Sequence, residues 1–181
     1  MLDDVALADL LKNRMKSMHA MTLLALALAS NLHADPSPEN LRQNGWFIGA
    51  KAYTFKDFSA FEAIAKTKEA GGNMIEFYPG QILKPGSTDK VGHTMSETAM
   101  QELKAECERQ GVRAVNYGVV AAQNAEDVQA IMSFAKKLGL CAVCTESTEQ
   151  IAVWEKNAKK FDIKVAFHEH GGSMDKPKYK V

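Results

Sequence analysis

Two histidines and a glutamate crowd the stretch VAFHEHGG, residues 165–172. On an extended segment successive side chains alternate, so His168 and His170 share a face with Ala166 while Glu169 points the other way. Three further polar residues stand at the ends of apolar runs: Glu76 in NMIEFYP, Asn116 in VRAVNYGVV and Glu146 in LCAVCTE. Glu146 shares its face with Cys144 and Ala142, and Glu76 shares its face with Met74 and Tyr78. Carboxylates gathered with neutral imidazoles suit Mn²⁺, Mg²⁺, Co²⁺ or Zn²⁺. Each residue also has a plainer reading. A histidine at a strand end is often a hydrogen-bonded, half-buried side chain, and Glu76 has a ready lysine partner in Lys51. Glu146 precedes STEQ and would suit a helix N-terminus, Asn116 can be satisfied by backbone groups, and His93 reads as a solvated or loop-packing residue.

The elements that must position these groups follow a repeating rhythm. WFIGAKAYTF (46–55) reads as a strand, and FSAFEAIAKTKEAGG as a helix carrying Phe58, Phe61, Ile64 and Ala65 at helical spacing. NMIEFYP (73–79) is the next strand, and a polar loop leads to a helix with Ser96 as N-cap, Gly111 as stop and Met100, Leu103 and Cys107 inward. VRAVNYGVV (112–120) precedes a helix capped by Asn124 and ended by Gly139, with Val128, Ile131, Phe134, Ala135 and Leu138 inward. LCAVCTE (140–146), the helix STEQIAVWEKNAKKFD and IKVAFHEH (163–170) complete four βα units and a fifth strand. Such alternation predicts an α/β fold with a parallel sheet and right-handed crossovers. In such sheets chemistry gathers at the carboxyl ends of the strands, where Glu76, Asn116, Glu146 and His168 all fall. Should the strands curl into a barrel, these groups converge on one mouth.

The chain has 181 residues and a formal net charge of zero, which suits one domain. Lys and Arg are interspersed with Asp and Glu, so the sequence offers no footprint for nucleic acid. Cys107, Cys141 and Cys144 read as buried structural thiols, because the Cys-x-x-Cys pair lies inside an apolar run. Trp46 and Trp154 read as core or helix-packing residues. MTLLALALAS (21–30), preceded by Lys12, Arg14 and Lys16, has the layout of a secretory signal peptide with a cut after Ala34. It is too short to span a membrane, which takes about 20 apolar residues. The boundaries are then a signal peptide or N-terminal extension over 1–34, a linker over 35–45 and a folded domain over 46–181. The expected location is periplasmic or secreted; if 1–34 is instead an N-terminal helix, it is cytoplasmic.

AYTF, IEFYPGQILKPGS, VNYGVV after ERQGV, FAKKLGL before a strand ending in glutamate, and IKVAFHEHGG, in that order, resemble the sugar phosphate isomerase/epimerase proteins. These belong to the xylose isomerase-like superfamily of TIM barrels. The likeness covers about residues 46–172 and implies part of a (β/α)₈ barrel with a divalent metal at its carboxyl mouth. It implies metal roles for Glu146, His168 and His170, catalytic roles for Glu146 and Glu76, and a substrate-facing place for His168 beside Asn116. The implied reaction is isomerisation or epimerisation of a sugar, sugar phosphate or polyol, a metal polarising the carbonyl while a carboxylate shuttles the proton. The family's later strands bring an Asp with a following His and a final Glu to the metal. The sequence ends after five strands, Asp175 in SMDKPKYKV is no substitute, and the expectation is a truncated barrel with little activity alone. A non-catalytic half-barrel that binds a sugar, or that pairs with a second copy or a complementing subunit, is the other reading. The endonuclease branch of the superfamily would need a basic face, which is lacking.

Overall fold

The computed structural model describes residues 39–170. The signal-peptide reading of 1–34 and the tail from 171 lie outside the described residues, as does the first part of the linker. Five strands form one sheet: β1 (Gly49–Lys51), β2 (Met74–Phe77), β3 (Arg113–Val120), β4 (Ala142–Thr145) and β5 (Lys164–Phe167). Its order is β1-β2-β3-β4-β5, and every pairing is parallel. Four helices alternate with them: α1 (Ala60–Glu69), α2 (Glu97–Gln110), α3 (Ala125–Leu138) and α4 (Ile151–Phe161). The expected α/β class and all four βα units are therefore present.

Local chemistry sets the helix ends. Ser59 closes a capping box on α1, accepting from the Glu62 amide while the Glu62 carboxylate accepts from the Ser59 amide. Ser96 and Asn124 accept from the amides of Ala99 and Asp127 at the heads of α2 and α3. Gly111 and Gly139 stop those helices at φ 63° and 79°, where a side chain would be strained. The inward stripes of α2 and α3 are those expected. On α1 the buried residues are Ala60, Ala63, Ile64 and Thr67. Phe58 lies ahead of the Ser59 cap and stays exposed, because the capping box starts the helix two residues later than the apolar spacing suggests.

The first strand is the largest departure. It spans only Gly49–Lys51, and a 3₁₀ turn over Ala52–Phe55 follows. Ahead of it, Gln43 and Trp46 form an isolated antiparallel bridge around Asn44 and Gly45, both at positive φ. Asn-Gly is a strong tight-turn signal, and the turn leaves Trp46 74% exposed rather than in the core. Trp154, by contrast, is 1% exposed. The described part of the expected linker is anchored: Asn73 donates to the Leu41 carbonyl (2.7 Å) and Gln43 to that of Gly71 (3.1 Å).

One apolar cluster joins the helices to the sheet through Ile75, Phe77, Ala114, Tyr117, Val120 and Val143. Burying such side chains supplies roughly 1.5–3 kcal/mol each. Two glycines allow strands to touch: a Cβ on Gly49 would meet the Met74 carbonyl at 2.6 Å, and one on Gly118 would meet Cys144 Cβ and O at 2.6 Å. Gly118→Ala is therefore expected to destabilise the protein by about 1–3 kcal/mol. Chemical denaturation of the variant beside the parent checks this, and an unchanged midpoint would refute the close approach of β3 and β4.

Candidate functional site

The sheet register divides the polar residues into two groups. Lys51 pairs with Glu76, Glu76 with Asn116, and Asn116 with Ala142. Within this row Lys51 Nζ lies 2.9 Å from Glu76 Oε1 as an ion pair. The Asn116 amide donates to Glu76 Oε2 (2.6 Å), and its own Oδ1 accepts from the Tyr117 backbone (2.9 Å). Both oxygens of a carboxylate whose side chain is 20% exposed are thus engaged. Pairing offsets much of the cost of removing such a charge from water. Lys51, considered from sequence only as a partner for Glu76, is that partner.

The second group is Glu146, His168 and His170, beyond the carboxyl ends of β4 and β5. Glu146 Oε1 lies 2.6 Å from His170 Nε2, and the two imidazoles meet edge to face with centroids 4.6 Å apart. One ligand atom from each of the three lies within 4.8 Å of the others. Ligand atoms about 2.0–2.2 Å from a first-row metal stand roughly 3–4 Å apart, so small side-chain rotations would bring all three onto one cation. Two imidazoles and a carboxylate fit Zn²⁺, Co²⁺ or Mn²⁺ better than Mg²⁺, which favours all-oxygen sites. The donors therefore fit a divalent ion.

The expected meeting of Glu76 and Asn116 with Glu146 and His168 in one cluster is not what the register gives. Asn116 pairs with Ala142, and Glu146 lies beyond Thr145. At about 3.3 Å per residue, Glu146 stands on the order of 13 Å further along the strand direction. Cys144 lies between the groups, and burial first, then the negative charge of Glu76, push its thiol above the ordinary range; Lys51 opposes them, and Glu146 adds the smallest effect. Glu146 is not a helix cap: α4 begins at Ile151, after a 3₁₀ turn over Thr148–Gln150. His93 is a loop-packing residue with a buried Nδ1, and burial pulls its imidazole below the ordinary range.

Sequence reading misses what fixes the end of β4. Thr145 donates to the Val120 carbonyl (2.8 Å) and accepts from the Ser147 amide (3.0 Å), and Ser147 Oγ accepts from the Ala122 amide (2.8 Å). Both side chains are buried. Together they tie the carboxyl ends of β3 and β4 and hold Glu146 between them. Hydroxyls flanking a glutamate are the only sequence trace of this lock.

The class defined by fold and site is an α/β protein with a five-stranded parallel sheet in chain order and a Glu-His-His cluster at its carboxyl end. The chain is similar to the crystal structure of an uncharacterized protein from Parabacteroides distasonis ATCC 8503. The match has 26% identity and a TM-score of 0.66, and covers 69% of this chain and 53% of that one. The chain thus spans about half the length of that neighbour. No family model matches the chain, and no curated protein does.

Two outcomes test this geometry. Thr145→Val, which leaves the Ser147 amide and the Val120 carbonyl without their partner, is expected to cost about 1–3 kcal/mol in chemical denaturation; a neutral effect would dismiss the lock. Cys144 should react with iodoacetamide at pH 8 more slowly than an ordinary cysteine, since a raised thiol pKa lowers the thiolate fraction. Glu76→Gln removes the negative charge with the larger effect on Cys144 and should speed that reaction severalfold, as read by mass spectrometry of the labelled peptide.

Proposed function

We propose that the chain carries a metal-assisted sugar isomerase or epimerase site of the xylose isomerase-like type, built on part of a TIM barrel. The observation that carries this reading is the convergence of Glu146, His168 and His170 at the carboxyl ends of adjacent parallel strands. The sheet supports the barrel part of the proposal. Doubly wound sheets reverse strand order at a switch point, whereas five parallel strands in chain order put successive crossovers on one side. A barrel is the architecture in which that arrangement continues, and its functional residues stand at the carboxyl ends.

A divalent ion held by Glu146, His168 and His170 would polarise a substrate carbonyl as a Lewis acid. The chain's own residues would do the rest. His168 would face the sugar at the mouth, and Glu146 would move the proton on the neighbouring carbon. Glu76, with both oxygens engaged by Lys51 and Asn116, has a fixed orientation and would take a proton only by giving up one of those contacts. Asn116 then serves the site by orienting Glu76, while a direct contact of Asn116 with substrate would need the same exchange. The substrate in this reading is a small sugar, sugar phosphate or polyol.

Calorimetric titration with Mn²⁺ and with Zn²⁺ should show one ion per chain, and Glu146→Ala or His168→Ala should weaken it on the order of a hundredfold. With the ion present, incubation of ketoses and aldoses in D₂O should place deuterium beside the carbonyl, and the same variants should abolish that exchange. Absence of ion binding in the parent chain would sink the catalytic reading and favour a non-catalytic sugar- or partner-binding half-barrel. Ion binding without exchange on any sugar would leave the site a metal centre and remove the isomerase from it.

A further inference from the structure

A second concavity opens at the same end of the sheet, between the connections that leave β1 and β2. It has a volume of about 290 Å³ and is lined by Lys56, Phe58, Glu62, Tyr78, Gln81 and Ile82 among others. Its walls mix exposed aromatic and apolar surface with hydrogen-bonding groups. Phe58 and Ile82 are exposed despite their size. Tyr53, itself exposed, meets Tyr78 edge to face with centroids 5.2 Å apart. Lys66 sits over the Phe58 ring at 4.1 Å. Gln81 is 2% exposed; its amide nitrogen donates to the Phe58 carbonyl (3.2 Å), while its Oε1 is buried without a hydrogen-bond partner. Such an orphan acceptor in the wall of a cleft is uncommon and calls for a donor.

The head of α1 borders the cleft, and a helix head ordinarily invites an anion through its unpaired amides. Here those amides are occupied. Ala60 and Phe61 donate to the carbonyls of Ile82 and Leu83 (2.8 and 3.1 Å). The Ser59 amide donates to the Glu62 carboxylate and the Glu62 amide to Ser59 Oγ. The charges reinforce the exclusion: Asp57 and Glu62 both line the cleft, and Lys56, the cation lining it, lies 3.4 Å from Asp57. A phosphate would find the helix-head amides already taken and two carboxylates against one lysine in the lining.

We propose that this cleft is a subsite for a neutral, hydroxyl-rich ring, a sugar unit without a phosphate. The C–H face of such a ring is apolar and matches the aromatic surface of Phe58 and Tyr78, while its hydroxyls are donors for Gln81 Oε1 and for the Asp57 and Glu62 carboxylates. The proposal deepens the isomerase reading by selecting unphosphorylated substrates, and it rests on that reading only for the identity of the reacting site. The cleft follows β1 and β2, whereas Glu146, His168 and His170 follow β4 and β5 at the same end of the sheet, and a disaccharide or a sugar conjugate is the chemical class that presents such a ring.

Saturation-transfer-difference NMR on the full chain tests this with cellobiose, maltose, lactose and xylobiose, each beside glucose 6-phosphate. At least one neutral disaccharide should receive magnetisation on its ring C–H protons, and glucose 6-phosphate should receive none. Phe58→Ala and Asp57→Ala, both at exposed positions, should each reduce the transfer at least fivefold. Metal titration reads the mouth by itself, so the cleft and the metal-site reading succeed or fail separately. No transfer to any neutral disaccharide, equal transfer to glucose 6-phosphate, or transfer insensitive to both cleft variants would overturn the proposal.

Discussion

A parallel sheet whose strands follow chain order must send each crossover over the same face, because the connections share one hand. That face takes the helices and the apolar side chains of the strands: Ile75, Phe77, Tyr117, Val120 and Val143 join one core with α1 to α4. The period of two then commits the alternate residues, Lys51, Glu76, Asn116 and Cys144, to the other side. Polar groups there cannot be buried unpaired. The Lys51–Glu76–Asn116 row solves this by joining three adjacent strands at one level, each partner supplied by the register itself. The close approach of Gly118 to Cys144 keeps β3 and β4 in contact just above that row.

Helix positions were legible because their signals are local. Ser96, Gly111, Asn124 and Gly139 act on amides and carbonyls within one turn, and the stripes of α2 and α3 repeat often enough to define a face. The bounds of the first strand were not legible, since WFIGAKAYTF is apolar but for Lys51 and Thr54 and carries no sustained alternation. A tight turn at Asn44-Gly45 and a 3₁₀ turn at Ala52–Phe55 divide it, and only Gly49–Lys51 pairs with β2. Trp46 was misplaced for the same reason: size favours burial, but the turn decided its direction.

The site was legible in its residues and not in its grouping. Glu146, His168 and His170 come together because β4 and β5 are neighbours in register, Cys144 beside Ala166 and Thr145 beside Phe167. Glu76 and Asn116 come together one level deeper. Which strand level a residue occupies depends on register shifts, and β3 carries irregularities against both neighbours. No spacing along a single strand encodes those shifts. The Thr145–Ser147 lock was equally invisible, because its partners, Val120 and Ala122, are 25 residues away.

The two levels differ in what their geometry permits. In the deeper row each carboxylate oxygen of Glu76 already has a partner, so a ligand reaching it must displace Lys51 or Asn116 and recover at least one charged hydrogen bond, roughly 1.5–3 kcal/mol, in return. At the mouth, the three donors lie on half-exposed side chains, and a cation there would have only the Glu146–His170 contact to replace among those described. Ligand exchange is therefore easier at the mouth than in the row. The cleft beside α1 adds a third environment, in which loop carbonyls of Ile82 and Leu83 have already taken the helix-head amides. The same two hydrogen bonds that pin the β2 to α2 connection thus leave no amide of Ala60 or Phe61 for an anion. Docking of that connection onto the head of α1 shapes the cleft and closes its amides at once, while the mouth is set by the register of β4 and β5.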